Sequence, residues 1–183
     1  MRNTAGRRRH ERSPRLSARG PSGHREALGL PASARDLTDD ESELVDLARS
    51  TIDANTDAGP DEDGAHTMGA AVRSSDGRSF AGVNLYHFTG GPCAELVALG
   101  TTRAGGTREI TTIVAVGNHG RDPVGSCGRD RQVLFDYHPA VRVILPTEEG
   151  VKSVLISDLM PLPALWTVEG DSQPYNPGLF AES

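Results

Sequence analysis

The chain contains two cysteines, Cys93 and Cys127, and each has a carboxylate within one helical turn: Glu95 two residues after the first, Asp130 three residues after the second. Thiolates and carboxylates are donors for a divalent ion such as zinc, and a spacing of three puts Cys127 and Asp130 on one face of a helix. Cys93, Cys127 and Asp130 together supply three ligands and leave a fourth position open, the arrangement of a catalytic metal site. Glu95, off the metal, is then placed to carry a proton, and the chemistry is metal-assisted hydrolysis. Both cysteines also stand where a helix is expected to begin. The helix dipole and free amides there predict thiols that are partly deprotonated before any metal arrives. A single disulfide and unconnected buried thiols are the duller readings. Domains stapled by disulfides usually carry more than two cysteines, so the pair points to metal ligation in a reducing, cytoplasmic compartment.

The elements that must position these residues can be traced along the chain. Thr38-Asp39-Asp40-Glu41 reads as a capping box, and Leu44, Val45, Leu47, Ala48 and Ile52 recur at helical spacing, predicting an amphipathic helix over Asp39 to Asn55. His66 to Val72 and Arg78 to Asn84 read as a hairpin about the turn Ser74-Ser75-Asp76-Gly77. Pro92-Cys93 opens a helix that Gly105-Gly106 stops, Ile110 to Val116 is a buried strand, and GNHGRDPVGS is a loop leading to a helix over Cys127 to Tyr137. Strands at Val141 to Leu145 and Lys152 to Ile156 follow, then a short helical turn, Ser157 to Met160. This order predicts an α/β fold, a mixed sheet with helices on its faces, both cysteine helices arriving from loops at one sheet edge.

Charge divides the chain unevenly. Residues 1 to 35 carry nine arginines against two glutamates, a formal +7, and the remaining residues carry ten basic groups against 23 acidic ones, a formal −13. The basic stretch is poor in apolar residues and rich in Arg, Ser, Gly and Pro, so residues 1–37 read as a disordered extension; a targeting peptide and a nucleic-acid arm are the other readings. Residues 38–170 form the expected domain and 171–183 a tail. The acidic domain would repel phosphate backbones, which argues against a nucleic-acid partner. No apolar run approaches the roughly 20 residues of a membrane span, so a water-soluble chain is expected.

The segments GVNLYHFTGGPCAELVALG (82–100) and SCGRDRQVLFDYHP (126–139) resemble the cytidine deaminase superfamily, and within it most nearly the blasticidin S deaminases; the likeness runs from about His66 to Gly170. The resemblance implies a three-layer α/β/α sandwich around a five-stranded mixed sheet, a homotetramer, and zinc-dependent hydrolysis of the 4-amino group of cytosine in a nucleoside or nucleoside antibiotic, an activity of antibiotic-resistance type. By motif, Cys93 and Cys127 match zinc thiolates, Glu95 the proton-shuttling glutamate, and Asn84 the sugar-side asparagine. Tyr86 stands where ordinary cytidine deaminases carry a ribose-binding glutamate, so a simple ribose is not the expected sugar. Thr67 matches a small hydroxyl residue near the substrate. Arg121 matches an arginine before the second zinc motif, suited to a carboxylate on the sugar. Trp166 falls in a C-terminal aromatic region that closes the pocket. Duller readings stand beside these: a solvent-exposed Arg121, a core Tyr86, a packing Trp166.

The departure lies in the second motif, P-C-x-x-C in the family and Ser126-Cys127-Gly128-Arg129-Asp130 here. Either Asp130 replaces the third sulfur as an oxygen donor, or it caps its helix and the chain is a deaminase-shaped binding or scaffold protein, or one acting on another amino-heterocycle. Retention of Cys93, Glu95 and Cys127 favours the first. His66, His87, His119 and His138 lack ligand spacing and are assigned to structure.

Overall fold

A computed structural model of the 183-residue chain describes residues 29–60, 62 and 64–164. Ten elements follow one another: α1 (Asp39–Asn55), β1 (Met68–Ser74), β2 (Ser79–Val83), α2 (Ala94–Ala104), β3 (Ile110–Gly117), β4 (Pro123–Val124), α3 (Gly128–Tyr137), β5 (Arg142–Thr147), β6 (Gly150–Leu155) and α4 (Ile156–Leu159). Five strands form a sheet in the order β2-β1-β3-β5-β6, with β3 and β5 parallel and the other neighbours antiparallel. The sheet is mixed, as the sequence predicts. A sixth strand, the two-residue β4, pairs with Ala115 and Val116 of β3 inside the stretch read from sequence as loop. Two residues are too few to show alternation, and Pro123, which has no N–H, suits a short edge pairing.

Side-chain alternation on the central strands explains the layering. Ala70, Val72, Ile113, Ala115 and Val143 point to one face, where Ala94 and Ala98 of α2, Leu134 of α3 and Ile156 of α4 cover them. Ala71, Val114, Val116 and Ile144 point to the other, beneath Leu44, Val45, Ala48 and Ile52 of α1. Every one of these side chains is buried. Two apolar faces on one sheet require helices on both, and the result is the expected α/β/α sandwich.

The N-terminus of α1 carries a buried polar network. Thr38 and Glu41 close the capping box reciprocally: the Glu41 amide donates to Thr38 Oγ1 at 3.3 Å, and the Thr38 amide donates to Glu41 Oε2 at 3.0 Å. Glu41 also accepts both guanidinium nitrogens of Arg35, at 2.7 and 2.9 Å, and the Ser153 hydroxyl of β6 at 2.7 Å. Arg35 pairs as an isolated bridge with Ser153, and Arg142 of β5 donates to the Ser33 carbonyl at 2.6 Å. Residues 33–37, grouped with the extension by composition, are therefore tied to the β6 edge. Composition misses this because the attachment is made by long-range bonds of Ser33, Arg35 and Asp36 to residues of β5, β6 and α4, with Leu37 packed on the core. Residues 1–28 and 165–183, with Trp166 among them, lie outside the described residues.

Burial alone would raise the Glu41 carboxyl; the bonds from Arg35, Thr38 and Ser153 outweigh it and hold the group below its ordinary value. A lowered acid stabilises the fold above its unfolded pKa, and the stabilisation is lost as pH falls through the folded value. Replacing Glu41 by Ala strands Arg35 and Ser153, so a loss of about 2–4 kcal/mol in denaturant unfolding at neutral pH is expected. With Glu41→Gln the fall of stability on acidification below the ordinary value of 4.5 becomes shallower than in the parent.

Candidate active site

Two helix N-termini bring the chemistry together. Cys93 is the N-cap of α2 and Cys127 the N-cap of α3, both in extended backbone conformation, and neither thiol caps its own helix. Each sulfur is thus left to face the other, at 4.0 Å. Asp130, in the first turn of α3, is 1% exposed and accepts from Cys127 Sγ at 3.3 Å through Oδ2. The three donor atoms lie within 4.8 Å of one another. Asp130 Oδ1 is buried with no hydrogen-bond partner.

Close packing fixes this geometry. At Gly82 of β2 a Cβ would fall 2.5 Å from the Ala98 amide and 2.9 Å from the Val97 carbonyl carbon, so the absence of a side chain lets α2 lie directly on the strand. Before the helix, the Leu85 amide donates to the Pro92 carbonyl at 3.1 Å, and Gly91 presses on the Leu85 carbonyl where a Cβ would collide. The loop ahead of Cys93 is thereby closed. On the other side, Arg131 Nε donates to the Ser126 carbonyl at 2.9 Å and secures the approach to Cys127.

Glu95 is 5% exposed, and its carboxyl is raised above its ordinary value by burial and by the charge of Asp130, with Ser126 and the Glu95 amide pulling the other way. Cys93 is pushed up to about 12, first by burial and then by Asp130 and Cys127. This corrects the expectation of a partly ionised Cys93. The dipole of an eleven-residue helix does not offset burial beside a carboxylate and a second sulfur. None of the ion pairs among the described residues involves Glu95 or Asp130.

A cavity of about 370 Å³ opens onto this cluster, lined by Cys93, Glu95, Cys127 and Asp130 together with Asn84, Tyr86 and His87. Five of the sequence candidates other than the Asp130 ligand thus share one space: Cys93, Glu95, Cys127, Asn84 and Tyr86. Asn84 Oδ1 accepts the amides of Thr67 and Met68, both at 3.0 Å, and its Nδ2 donates to the Ala65 carbonyl at 2.9 Å, so it shapes the wall by holding the chain entering β1. Tyr86 is 74% exposed at the rim, which sets aside the core-tyrosine reading.

Thr67 and Arg121 are placed elsewhere. They line a separate polar cavity of about 580 Å³ with Glu62, Asn118 and His119. Arg121 Nη2 donates to the Thr67 carbonyl at 2.8 Å and Nε to the Asn118 carbonyl at 3.3 Å, so the arginine ties the end of β3 to the start of β1. A motif position in a loop does not report which side of the strand end its side chain takes. Sequence reasoning passed over Met68 and Leu85, assigned His87 to structure although it lines the cavity, and named Ser126 only as a departure from the motif. Met68 and Leu85 carry no signal of their own, being apolar residues in a strand and a loop. The four histidines include no member of the metal cluster among the described residues; His66 instead pairs with Asp57 at 3.0 Å.

The fold is that of the cytidine deaminase superfamily. Among solved structures the chain is similar to cytidine deaminase from Burkholderia pseudomallei (28% identity, TM-score 0.54, 69% of this chain and 99% of that one) and to cytidine deaminase from Mycobacterium leprae (27%, 0.53, 66% and 96%). In sequence it is 29% identical over 135 residues to blasticidin-S deaminase from Bacillus cereus, covering 69% of this chain and 93% of that protein. No family model matches the chain. Together these similarities support the superfamily and a hydrolytic deaminase as the class of enzyme. Among the described residues no helix is long and apolar enough to cross a membrane.

The residues present fit a zinc ion. With Zn–S near 2.3 Å and Zn–O near 2.0 Å, a tetrahedral site has S–S and S–O edges of about 3.8 and 3.5 Å. The observed edges are 4.0 and 3.3 Å. The unpartnered Oδ1 and the absence of a paired cation both describe a cluster that is satisfied by a positive ion. One zinc per chain is expected by elemental analysis of the wild type, and less than a tenth of that in Cys93→Ser and in Asp130→Ala after dialysis; equal, low occupancy in all three would remove the metal reading.

Proposed function

We propose that the protein hydrolyses the 4-amino group of cytosine in a nucleoside or nucleoside antibiotic, of the cytidine or blasticidin S type, releasing ammonia and the uracil product. The observation that carries this is the meeting of Cys93, Cys127 and Asp130 within 4.8 Å in one cavity with the buried Glu95. Zinc held by these three residues supplies Lewis acidity that brings the pKa of water towards about 7.

The remaining work falls to side chains of this chain. Glu95 accepts the proton of the attacking water as the bond to C4 forms, then delivers it to the departing amino nitrogen, so that water adds, ammonia leaves, and the carboxylate is regenerated. A carboxyl raised by burial suits a group that must both take and return a proton near neutrality. Asn84, whose second Nδ2 hydrogen is not used by Ala65, faces the sugar side. Tyr86, at the rim, favours a sugar without the hydroxyl pattern that a glutamate grips. Trp166 is assigned to closing the cavity. Thr67 and Arg121 act on the substrate only through the shared wall at Asn84. A homotetramer, a cytoplasmic location and a role in antibiotic resistance belong to the same reading, as does a domain over residues 38–170 followed by a tail, its start extended by the bonded residues 33–37.

Deamination is followed by the fall in cytosine absorbance. Conversion of cytidine or blasticidin S by the wild type is expected, with kcat reduced about 10³-fold or more in Glu95→Gln and zinc content unchanged. A zinc-loaded protein that converts neither compound would contradict the cytosine assignment. Tyr86→Glu is expected to raise kcat/KM for cytidine relative to blasticidin S.

A further inference from the structure

Asp130 distinguishes this centre from one made of three thiolates, and its surroundings show what the exchange does. The carboxylate is 1% exposed, one oxygen lies 3.3 Å from Cys127 Sγ, and the other is buried without any partner. A thiolate offers one soft donor atom. This carboxylate offers two hard ones, and the second has nothing else to bind. Zinc stands above iron(II) and manganese(II) in intrinsic affinity, ligand type is one of the means by which sites adjust that margin, and carboxylate oxygen suits the harder ions. A second free oxygen also admits a fifth contact, which zinc in a closed tetrahedral site does not require.

We infer that Asp130 makes this a two-thiolate, one-carboxylate centre that accepts harder first-row dications such as iron(II) in competition with zinc. The inference rests on the proposed role of Cys93, Cys127 and Asp130 as ligands. Cys127, at the exposed side of the cluster, leaves the ion open to exchange with chelators in solution.

The test uses the full chain stripped of metal, in wild-type, Asp130→Cys and Asp130→Asn forms. Zinc and iron(II) affinities are measured anaerobically by chelator competition, and cobalt(II) is added separately as a spectroscopic probe. In Asp130→Cys the ratio of zinc to iron(II) affinity is expected to rise at least tenfold, and the thiolate-to-cobalt charge-transfer band to grow by about half as two sulfurs become three. In Asp130→Asn, which keeps the shape and loses the charge, iron(II) affinity is expected to fall more than zinc affinity. An unchanged ratio in both variants, with cobalt–thiolate absorption present in the wild type, would overturn this inference and leave the metal centre standing. Absence of any cobalt–thiolate band in the wild type would overturn the ligand assignment as well.

Discussion

Two sulfurs and two carboxylates meet at the ends of two helices, with no side-chain cation of the described residues ion-paired to either carboxylate. Burial, and after it the neighbouring Asp130, push Cys93 up to about 12 and raise Glu95, so both groups resist carrying negative charge there. The first turns of α2 and α3 contribute orphan amides and the positive end of each dipole, yet these partial charges do not match a buried carboxylate beside two thiols. A divalent ion held by Cys93, Cys127 and Asp130 would favour the thiolate form of its ligands, which would couple metal uptake to proton release. Catalytic capacity and electrostatic strain therefore have a common origin.

The rest of the molecule can be understood as the frame that makes such a meeting tolerable. β1, β3 and β5 are buried on both faces, so their ends are fixed; α3 is reached from β3 by way of β4, and α2 from the edge strand β2, which is paired to β1. Gly82 permits α2 to press on β2 without an intervening side chain, and Arg131 clamps the segment before Cys127. At the opposite end of the sheet Arg35, Glu41, Ser153 and Arg142 form a satisfied polar network, in contrast to the site, where Asp130 Oδ1 is left unpaired. Among the described residues the buried side-chain atoms left without a partner are Arg73 Nε and Asp130 Oδ1, and the second lies in the site.

Much of this was readable from residue order. The capping box marked the start of α1 and the apolar run 110–116 the central strand, because each depends on contacts within a few residues or on a strong period; the two cysteine motifs pointed to Cys93, Cys127 and Asp130, which the fold brings together. What was not readable depends on tertiary placement. The β4 pairing is two residues long, the docking of residues 33–37 rests on contacts with residues more than a hundred positions away, and the side taken by Arg121 follows from where the Asn118 and Thr67 carbonyls lie. The ionisation of Cys93 was misread because helix position was weighed and burial was not, and burial is invisible in a motif.

The central claim is that Asp130 completes a mixed sulfur and oxygen metal centre. X-ray absorption fine structure at the zinc edge of the zinc-loaded wild-type protein measures this directly. Two sulfurs at about 2.3 Å and oxygen or nitrogen neighbours at about 2.0 Å are the result this account predicts, with the sulfur count rising to three in Asp130→Cys. A first shell with no sulfur, or one that does not change when Asp130 becomes cysteine, would contradict it.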